Sequence, residues 1–540
     1  MIFILTDQER FFRPGELPAG FELPAHERLR RQGTSFVNHR INSCVCTPSR
    51  SVIYTGRHIQ QTGMFDNTNF PWITSMSTEL STLGDMLRAA GYYTAYKGKW
   101  HLTKEFETVN KLGSPTRIFT EEMEAYGFSD HFGIDDIIAH TQGGYLHDGV
   151  ISAMAGSWLR GKGRELAGQG KPWFLAVNLV NPHDVMFYDT DAPGAPVQSE
   201  RGITHVARDP VDPLYATQWE FGLPRSHGQP LDAAGRPPAH RDFLRSHDAL
   251  VGNIPNEAAR WQRQHNYYLN CLRDVDRNIV LGELDASGLA GRTIVVLTAD
   301  HGDMDGAHQL HAKEAVAYRE QNNVPLIISH PAHSGGQQCR AISSHLDLAP
   351  TLVSFTGVEP GKRATIVKDL PGKDLSGLLA APGEAGTNAV HEGLLFNYNM
   401  FAYLDGDFLN KAVDFMHQGG NPKELKNAGI VPDMMKRGAV RSVYDGRHVF
   451  ARYFSPKQHN LPTTLEALYQ LNDTELYDTE ADPDEMRNLA AAPGENAELL
   501  LAMNAKLNRL IETEVGEDRG QMLPGGADAG WEVNAETMAP

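Results

Sequence analysis

The sequence predicts an α/β fold: a large, mostly parallel mixed sheet sandwiched by helices, followed by a smaller C-terminal α+β subdomain built on an antiparallel sheet. Three observations predict it. Short continuous apolar runs of strand length recur, each ending on polar, ligand-type side chains. Segments with helical spacing lie between them, and that alternation implies parallel strands with helices on both faces. Beyond about residue 386 the alternation gives way to a hairpin pattern.

The 540 residues are 41% apolar and 21% charged, which supports a sizeable core and excludes a wholly disordered chain. With 51 glycines, 31 prolines and no internal repeat, collagen-like, low-complexity and solenoid readings fail. At roughly 150 residues per domain the length allows three or four units, but large α/β enzymes place more residues in one. One large domain over residues 1–385 and a smaller one over 386–540 are therefore expected. The net charge of −18 makes nucleic acid or an anionic membrane a poor partner. An anionic substrate would need positive charge gathered locally. Four cysteines (Cys44, Cys46, Cys271 and Cys339) are too few for a disulfide scaffold. No apolar stretch reaches the ~18 residues of a membrane span, and Met1–Leu5 lacks the basic flank and length of a signal segment. The chain as given reads as cytoplasmic, although it begins almost inside its first strand, as a trimmed chain would.

The elements follow in order. Ile2–Leu5 is a buried-strand run ending at Thr6-Asp7-Gln8. Glu79–Ala90 carries Leu80, Leu83, Met86, Leu87 and Ala90 at helical spacing, with Thr78 as N-cap and Gly91 as stop. Trp173–Leu179 is a second strand, ending at Asn181-Pro182-His183. Residues 188–255 are rich in Pro, Gly, Asp and His without clear periodicity and read as a rim or lid insertion. Tyr267–Leu284 reads as a helix leading through Gly288 and Gly291 into a third strand, Thr293–Leu297, which ends at Thr298-Ala299-Asp300-His301-Gly302. A helix start follows at His345–Leu352. Asp445-Gly446, between Ala439–Tyr444 and His448–Tyr453, is a hairpin signal. Glu495–Glu514 reads as a helix and the tail from Val515 as irregular. Ligands in open α/β sheets bind beyond the carboxyl ends of the strands, so the polar residues after these runs are the candidate site.

The most informative segment is Cys46-Thr47-Pro48-Ser49-Arg50-Ser51-Val52-Ile53-Tyr54-Thr55-Gly56-Arg57. Thr47 can cap a helix with Pro48 in its first position, and Gly56 can end it. Cys46 then sits just ahead of a helix N-terminus, where free N–H groups and the dipole favour an anion, and Arg50 lies in the first turn. A lone cysteine is ordinarily a buried, inert thiol; in this register it is a candidate nucleophile for an oxyanion ester. The segment resembles the sulfatase signature, in which Cys, a variable residue, Pro, a variable residue and Arg are followed by Thr-Gly. The match is complete. In that family a separate formylglycine-generating enzyme oxidises the cysteine to formylglycine. One hydroxyl of the hydrated aldehyde attacks sulfur and forms a sulfate ester; the other drives its breakdown.

Further segments extend the resemblance. Gly98-Lys99-Trp100-His101 is similar to the second sulfatase signature. It implies that Lys99 neutralises a sulfate oxygen and that His101 holds the nucleophile's hydroxyl or assists breakdown. Asp300 and His301, with Asp7 and Gln8 after the first strand, match the family's metal ligands, joined by the side chain derived from Cys46. The family usually has a second acid where this chain has Gln8; some relatives that hydrolyse phosphonate or phosphate diesters share the Gln. Lys313 would contact the sulfate and bridging oxygen. His183 would serve as leaving-group acid, which must reach that oxygen. His308 and His311 are expected to line the pocket and Asp303 to sit behind the ligands. The implied cofactor is one divalent cation. Oxygen donors favour Ca²⁺ or Mg²⁺ and His301 also suits Mn²⁺; the resemblance favours Ca²⁺. Asp7 and Asp300 balance its charge, leaving Arg50, Lys99 and Lys313 for an anionic substrate.

The resemblance runs from about Ile2 to Leu489, through Val324–Ile327, His345–Asp347 and Glu475–Asp478, and implies an alkaline-phosphatase-like fold. The expected activity is that of an arylsulfatase-like enzyme, hydrolysing a small-molecule sulfate monoester to alcohol and inorganic sulfate. The alternatives are a phosphonate monoester or phosphodiester hydrolase on the same scaffold and a non-catalytic anion-binding protein. A homo-oligomer is compatible with the sequence.

Overall fold

The apolar run at the start of the chain forms strand β1 (Ile2–Asp7), which lies inside an eight-stranded sheet in the computed structural model. The structure describes residues 1–70, 72–106, 121–133, 135, 141–198, 202, 204–421 and 424–522. The expected irregular tail lies, from residue 523 on, outside the described residues, as do 199–201 and 203 of the insertion.

The first part of the chain supplies β2 (Thr34–Phe36), β3 (His39–Arg40), β4 (Tyr93–Gly98), β5 (Ser129–Phe132), β6 (Trp173–Pro182), β7 (Val295–Ala299), β8 (Leu326–Ser329), β9 (Gln337–Cys339) and β10 (Ser343–Ser344). The large sheet has the order β5-β4-β6-β1-β7-β8-β2-β9, and β3 pairs with β10 separately. Pairs β1–β6, β1–β7, β4–β5, β4–β6 and β2–β9 are parallel, while β8 runs antiparallel to β7 and β2. The sheet is thus mixed and mostly parallel.

Alternate side chains of the strands enter different cores. Phe3 and Leu5 pack with Val52, Ile53 and Tyr54 of the helix Cys46–Thr55 and with Leu83, Met86 and Leu87. Ile2 and Ile4 pack on the other face with Ile151, Ala155, Val275 and Leu284. Both faces are covered, so the strand reads as a continuous apolar run rather than an alternating one. Each such side chain stabilises the fold by about 1.5–3 kcal/mol, which holds the register. That register is decisive for the site. Asp7 of β1 lies level with Pro182, Thr6 with Ala299, and Gly98 with Asn178. The segments after β1, β4, β6 and β7 therefore emerge side by side.

Several boundaries differ from the sequence reading. The helix expected over Glu79–Ala90 covers only Leu83–Ala89, because Thr82 and Asp85 form a reciprocal capping box that starts it later than Thr78 would. The helix expected from Tyr267 begins at Ala258 and ends at Arg277, and a second short helix follows at Leu281–Ala286. The insertion ends in a helix, Ala239–Val251, whose His240, Phe243, His247 and Val251 are buried at helical spacing. At His345 a 3₁₀ turn precedes the helix Leu348–Ser354.

The C-terminal part forms β11 (Leu394–Tyr398), β12 (Ala439–Tyr444), β13 (His448–Phe454) and β14 (Asn472–Asp478), an antiparallel sheet with the hairpin at Asp445-Gly446. One face packs on the helix Ala497–Leu510 through Leu395, Val443, Phe450, Leu500, Met503 and Leu507. Its edge strand braces the segment before Cys46: Asn397 N–H donates to Asn42 O at 2.8 Å, and Ser43 Oγ donates to Asn397 O at 2.8 Å.

Candidate active site

The first of the converging segments is the helix Cys46–Thr55. Its first helical residue is Cys46 itself, not the Thr47-capped position expected. The Thr47 hydroxyl instead donates to His101 O at 2.6 Å and ties the helix start to the segment after β4. Gly56 closes the helix at φ 66°, its N–H bonded to Val52 O at 2.8 Å, the left-handed turn expected of a glycine there.

Arg50 projects from the helix's second turn, fully buried, and organises the acids. Its Nη2 donates to Asp7 Oδ2 at 2.9 Å, its Nε to Asp300 Oδ2 at 3.0 Å and its Nη1 to Lys99 O at 2.9 Å. Lys99 Nζ reaches the same Asp7 Oδ2 at 2.8 Å. The other oxygens of the two carboxylates face elsewhere. Asp7 Oδ1 and Asp300 Oδ1 lie 3.8 and 3.6 Å from His301 Nε2, and Cys46 Sγ lies 3.6 Å from Asp7 Oδ1 and 3.3 Å from His301 Nε2. His301 Nδ1 is 3.1 Å from Gly302 O. A proton on Nδ1 therefore leaves the Nε2 lone pair facing the acids.

The electrostatics follow from this geometry. Burial alone would raise the Asp7 carboxyl, but Lys99, His183, Arg50 and His301 together hold it well below its usual range. Burial, with Asp7 next to it, raises Asp300 to about 7. Burial and then Asp7 push the Cys46 thiol up, against the opposing pull of Lys99 and Lys313. As a thiol, Cys46 is therefore protonated near neutral pH and a poor nucleophile. Burial and the nearby Lys313 hold His301 well below the usual imidazole range, so it is a neutral base.

One ligand atom from each of Asp7, Cys46, Asp300 and His301 lies within 4.8 Å of the others, all buried. Two carboxylate oxygens and an imidazole nitrogen fit a hard or borderline divalent cation, and the proximity of the two acids supplies the charge. Gln8 stands at the edge of this group. Its Oε1 accepts from Lys313 Nζ, and its Nε2 donates to Asp303 Oδ2. The oxygen expected to face a metal is thus also the acceptor for Lys313. Lys313 Nζ lies 3.5 Å from Met186 Sδ as well. His183 opens the 3₁₀ turn after β6, is 4% exposed, and acts electrostatically on both Asp7 and His301. His101 Nε2 is 2.8 Å from Asn69 Oδ1. All ten predicted site residues thus lie at the carboxyl edge of the sheet. His308 does not join them: its ring stacks on Tyr318 at 3.7 Å, and Nδ1 meets Gln229 Oε1 at 2.6 Å, drawing it towards the insertion.

A profile of the sulfatase family matches residues 1–358. The chain belongs to the sulfatase family. It is a sulfuric ester hydrolase. It is 24% identical over 532 residues to the ulvan-active sulfatase of Formosa agariphila, across 96% of this chain and 82% of that protein. With the uncharacterized sulfatase YidJ of Escherichia coli strain K12 it shares 27% identity over 370 residues, spanning 65% of that protein's length. Among solved structures, a protein in complex with its substrate D-glucosamine-2-N,6-O-disulfate superposes with a TM-score of 0.66 at 19% identity, covering 96% of this chain and 99% of the other. The phosphonate monoester hydrolase of Silicibacter pomeroyi gives 0.65 at 19% identity, over 95% and 96%. These likenesses extend the sulfatase fold over the C-terminal sheet.

Sequence reasoning missed several residues that hold these side chains in place. Asn178 accepts from Tyr54 Oη at 2.7 Å and from Arg50 Nη1 at 3.4 Å. A polar residue inside the apolar β6 run was its only signal. Asp135 accepts from the backbone N–H groups of Trp100 and His101 at 3.1 and 2.9 Å. Tyr268 Oη donates to Gln8 O at 2.9 Å from a helix far along the chain, and nothing local marks it.

Proposed function

We propose that the chain hydrolyses a carbohydrate sulfate monoester, releasing inorganic sulfate, with formylglycine made from Cys46 as the nucleophile and one divalent cation as cofactor. The observation that carries the reading is the convergence of Arg50, Lys99 and Lys313 on a buried Cys46 beside two carboxylates and a neutral imidazole. Asp7, Asp300 and His301 would hold the cation, with Gln8 at its edge; when bound it polarises a sulfuryl oxygen and the nucleophile. The donor set suits Ca²⁺, Mg²⁺ or Mn²⁺, and the family resemblance favours Ca²⁺.

The chain's own groups divide the remaining work. Lys99 and Lys313 stabilise charge on the sulfuryl oxygens, the electrostatic contribution that is usually largest. Arg50 fixes both carboxylates from behind. His183 protonates the leaving oxygen, and His101 holds the nucleophile's hydroxyl. The sugar in this reading rests on the ulvan-active relative and the glucosamine disulfate complex. A phosphonate monoester is the second reading, favoured by Gln8 in place of an acid.

The test is peptide mass across Cys46 in protein co-expressed with a formylglycine-generating enzyme, alongside p-nitrophenyl sulfate turnover. The mass decrease of thiol-to-aldehyde conversion, with activity lost in Cys46→Ala, is the expected result. Unmodified Cys46 without sulfate ester turnover would overturn it. Faster turnover of an aryl phosphonate monoester than of the aryl sulfate would select the second reading.

A further inference from the structure

Residues 180–184 span the end of β6 and the turn that His183 opens, and they are held from three directions. The helix Gly143–Trp158 grips this bend on both sides of His183. Ahead of it, Asp148 Oδ1 accepts from Val180 N–H at 2.6 Å, and Asp148 Oδ2 from Asn181 N–H at 2.9 Å. Past it, Asp184 accepts from Gly144 N–H and Tyr145 N–H, each at 2.9 Å. The helix Ala258–Arg277 supplies Asp274, whose Oδ2 accepts from Asn181 Nδ2 at 3.0 Å. The insertion supplies Tyr215. Its Oη donates to the same Asp274 oxygen at 2.8 Å and lies 3.3 Å from Asn181 Nδ2.

Little in this arrangement is free to shift. Asp148, Asn181, Asp184, Asp274 and Tyr215 are each at most 1% exposed. A Cβ at Gly144 would lie 2.3 Å from Asn181 Cγ, so the helix backbone closes directly on that amide. The Tyr215 ring packs on Tyr145 and Tyr267, and Arg277 Nε reaches the other Asp274 oxygen at 2.7 Å. Burial pushes the Asp148 and Asp274 carboxyls upward, which is the cost of taking them out of water. Water would satisfy the same N–H groups without that cost. Hydrogen bonds to carboxylates are stronger and hold direction better, and Asp148, Asp184 and Asp274 all serve this one bend. What the bend carries is His183. A leaving-group acid must lie within hydrogen-bond reach of the oxygen it protonates, and a displacement of about 1 Å can cost roughly a hundredfold in rate.

We infer that Asp274 is a positioning residue for leaving-group protonation: together with Tyr215 it fixes the Asn181 side chain, and through Asn181 it places His183 against the leaving oxygen. The inference rests on the reading of His183 as the leaving-group acid in the function proposed above. It gives the insertion a part in the chemistry, because Tyr215 reaches from it to the residue two places before His183.

The test compares kcat/KM on two aryl sulfates, p-nitrophenyl sulfate and phenyl sulfate, for full-length protein carrying formylglycine. The phenyl ester has the more basic leaving group and depends more on His183. Asp274→Leu, which removes the acceptor, should lose about tenfold more on phenyl sulfate than on p-nitrophenyl sulfate. Asp274→Asn keeps an acceptor for Asn181 and should restore most of that difference, a rescue that a merely structural role does not predict. Tyr215→Phe keeps the packed ring and should shift the ratio about threefold in the same direction, which gives the reading if Asp274→Leu fails to fold. His183→Ala is measured alongside. Equal losses on the two esters in the folded variants, with a selective loss in His183→Ala, would overturn this inference alone. Equal losses in His183→Ala itself would remove the leaving-group acid and the inference with it, and no turnover of any sulfate ester by wild type would overturn the proposed function as well.

Discussion

His26 offers the clearest quantitative test of how the loop after β1 is held. It sits fully buried on the helix Pro24–Gln32, with Nδ1 2.6 Å from Asp276 Oδ1 and Nε2 3.1 Å from Glu9 Oε1. Glu9 also accepts from Thr6 Oγ1 at 2.8 Å, so the group ties the residues flanking Asp7 and Gln8 to the helix Ala258–Arg277. Burial alone would lower the imidazole, but Glu9 and Asp276 outweigh it and raise His26 from 6.5 to about 9. At about 1.36 kcal/mol per pH unit, that interval corresponds to ~3 kcal/mol. The folded state stabilises the charged form. The contribution is therefore full below 6.5 and is lost as pH rises through about 9. The assay is urea unfolding of wild type and His26→Leu across that range. Wild type should lose ~3 kcal/mol more than the variant as pH rises, and at the acid end the variant should be less stable by at least that amount, since two buried carboxylates lose their partner. Parallel pH profiles would refute the charged triad.

Three further outcomes follow from the site. Lys99→Ala should lower kcat on p-nitrophenyl sulfate about a hundred- to a thousandfold, and a loss below about tenfold would remove Lys99 from charge stabilisation. His183→Ala should cost roughly a hundred- to ten-thousandfold on an alkyl or sugar sulfate and far less on p-nitrophenyl sulfate, whose leaving group needs no proton; equal losses in kcat/KM would count against a leaving-group acid. Gly98→Ala should abolish soluble folded protein, because Gly98 has φ 96° and an added Cβ would lie 1.9 Å from Asn178 O. A Gly98→Ala variant with wild-type Tm would show that β4 and β6 do not need this close approach.

What was legible in the sequence was whatever the backbone period writes locally. The runs at Ile2, Trp173 and Thr293 became β1, β6 and β7 because each is buried on both faces, and their shared register brings Asp7, His183 and Asp300 to one edge. The Asp445-Gly446 hairpin was readable for the same reason. Helix starts were less so: Thr78 and Thr82 are equally good caps in isolation, and only Asp85, three residues past the second, decides between them. The helix Ala239–Val251 was obscured by histidines at its buried positions, where a reader of hydrophobic patterns sees polar residues.

Gln8 shows where local reading ends. From sequence it is a weakened metal ligand, an amide replacing an acid, and the inference concerns only the cation. In the structure the amide is bipolar: its oxygen receives Lys313 and its nitrogen reaches Asp303, which burial and then the neighbouring Asp305 raise to about 7. A carboxylate at position 8 could accept from Lys313 but could donate nothing to Asp303, and would set two acids against each other in a buried space. Gln8 and Asp303 therefore act as one hydrogen-bonded pair from places 295 positions apart. Lys313 is positioned by that pair rather than by the metal site alone. The residue that looks like the loss of a ligand is also what aims Lys313, and only the fold makes both readable together.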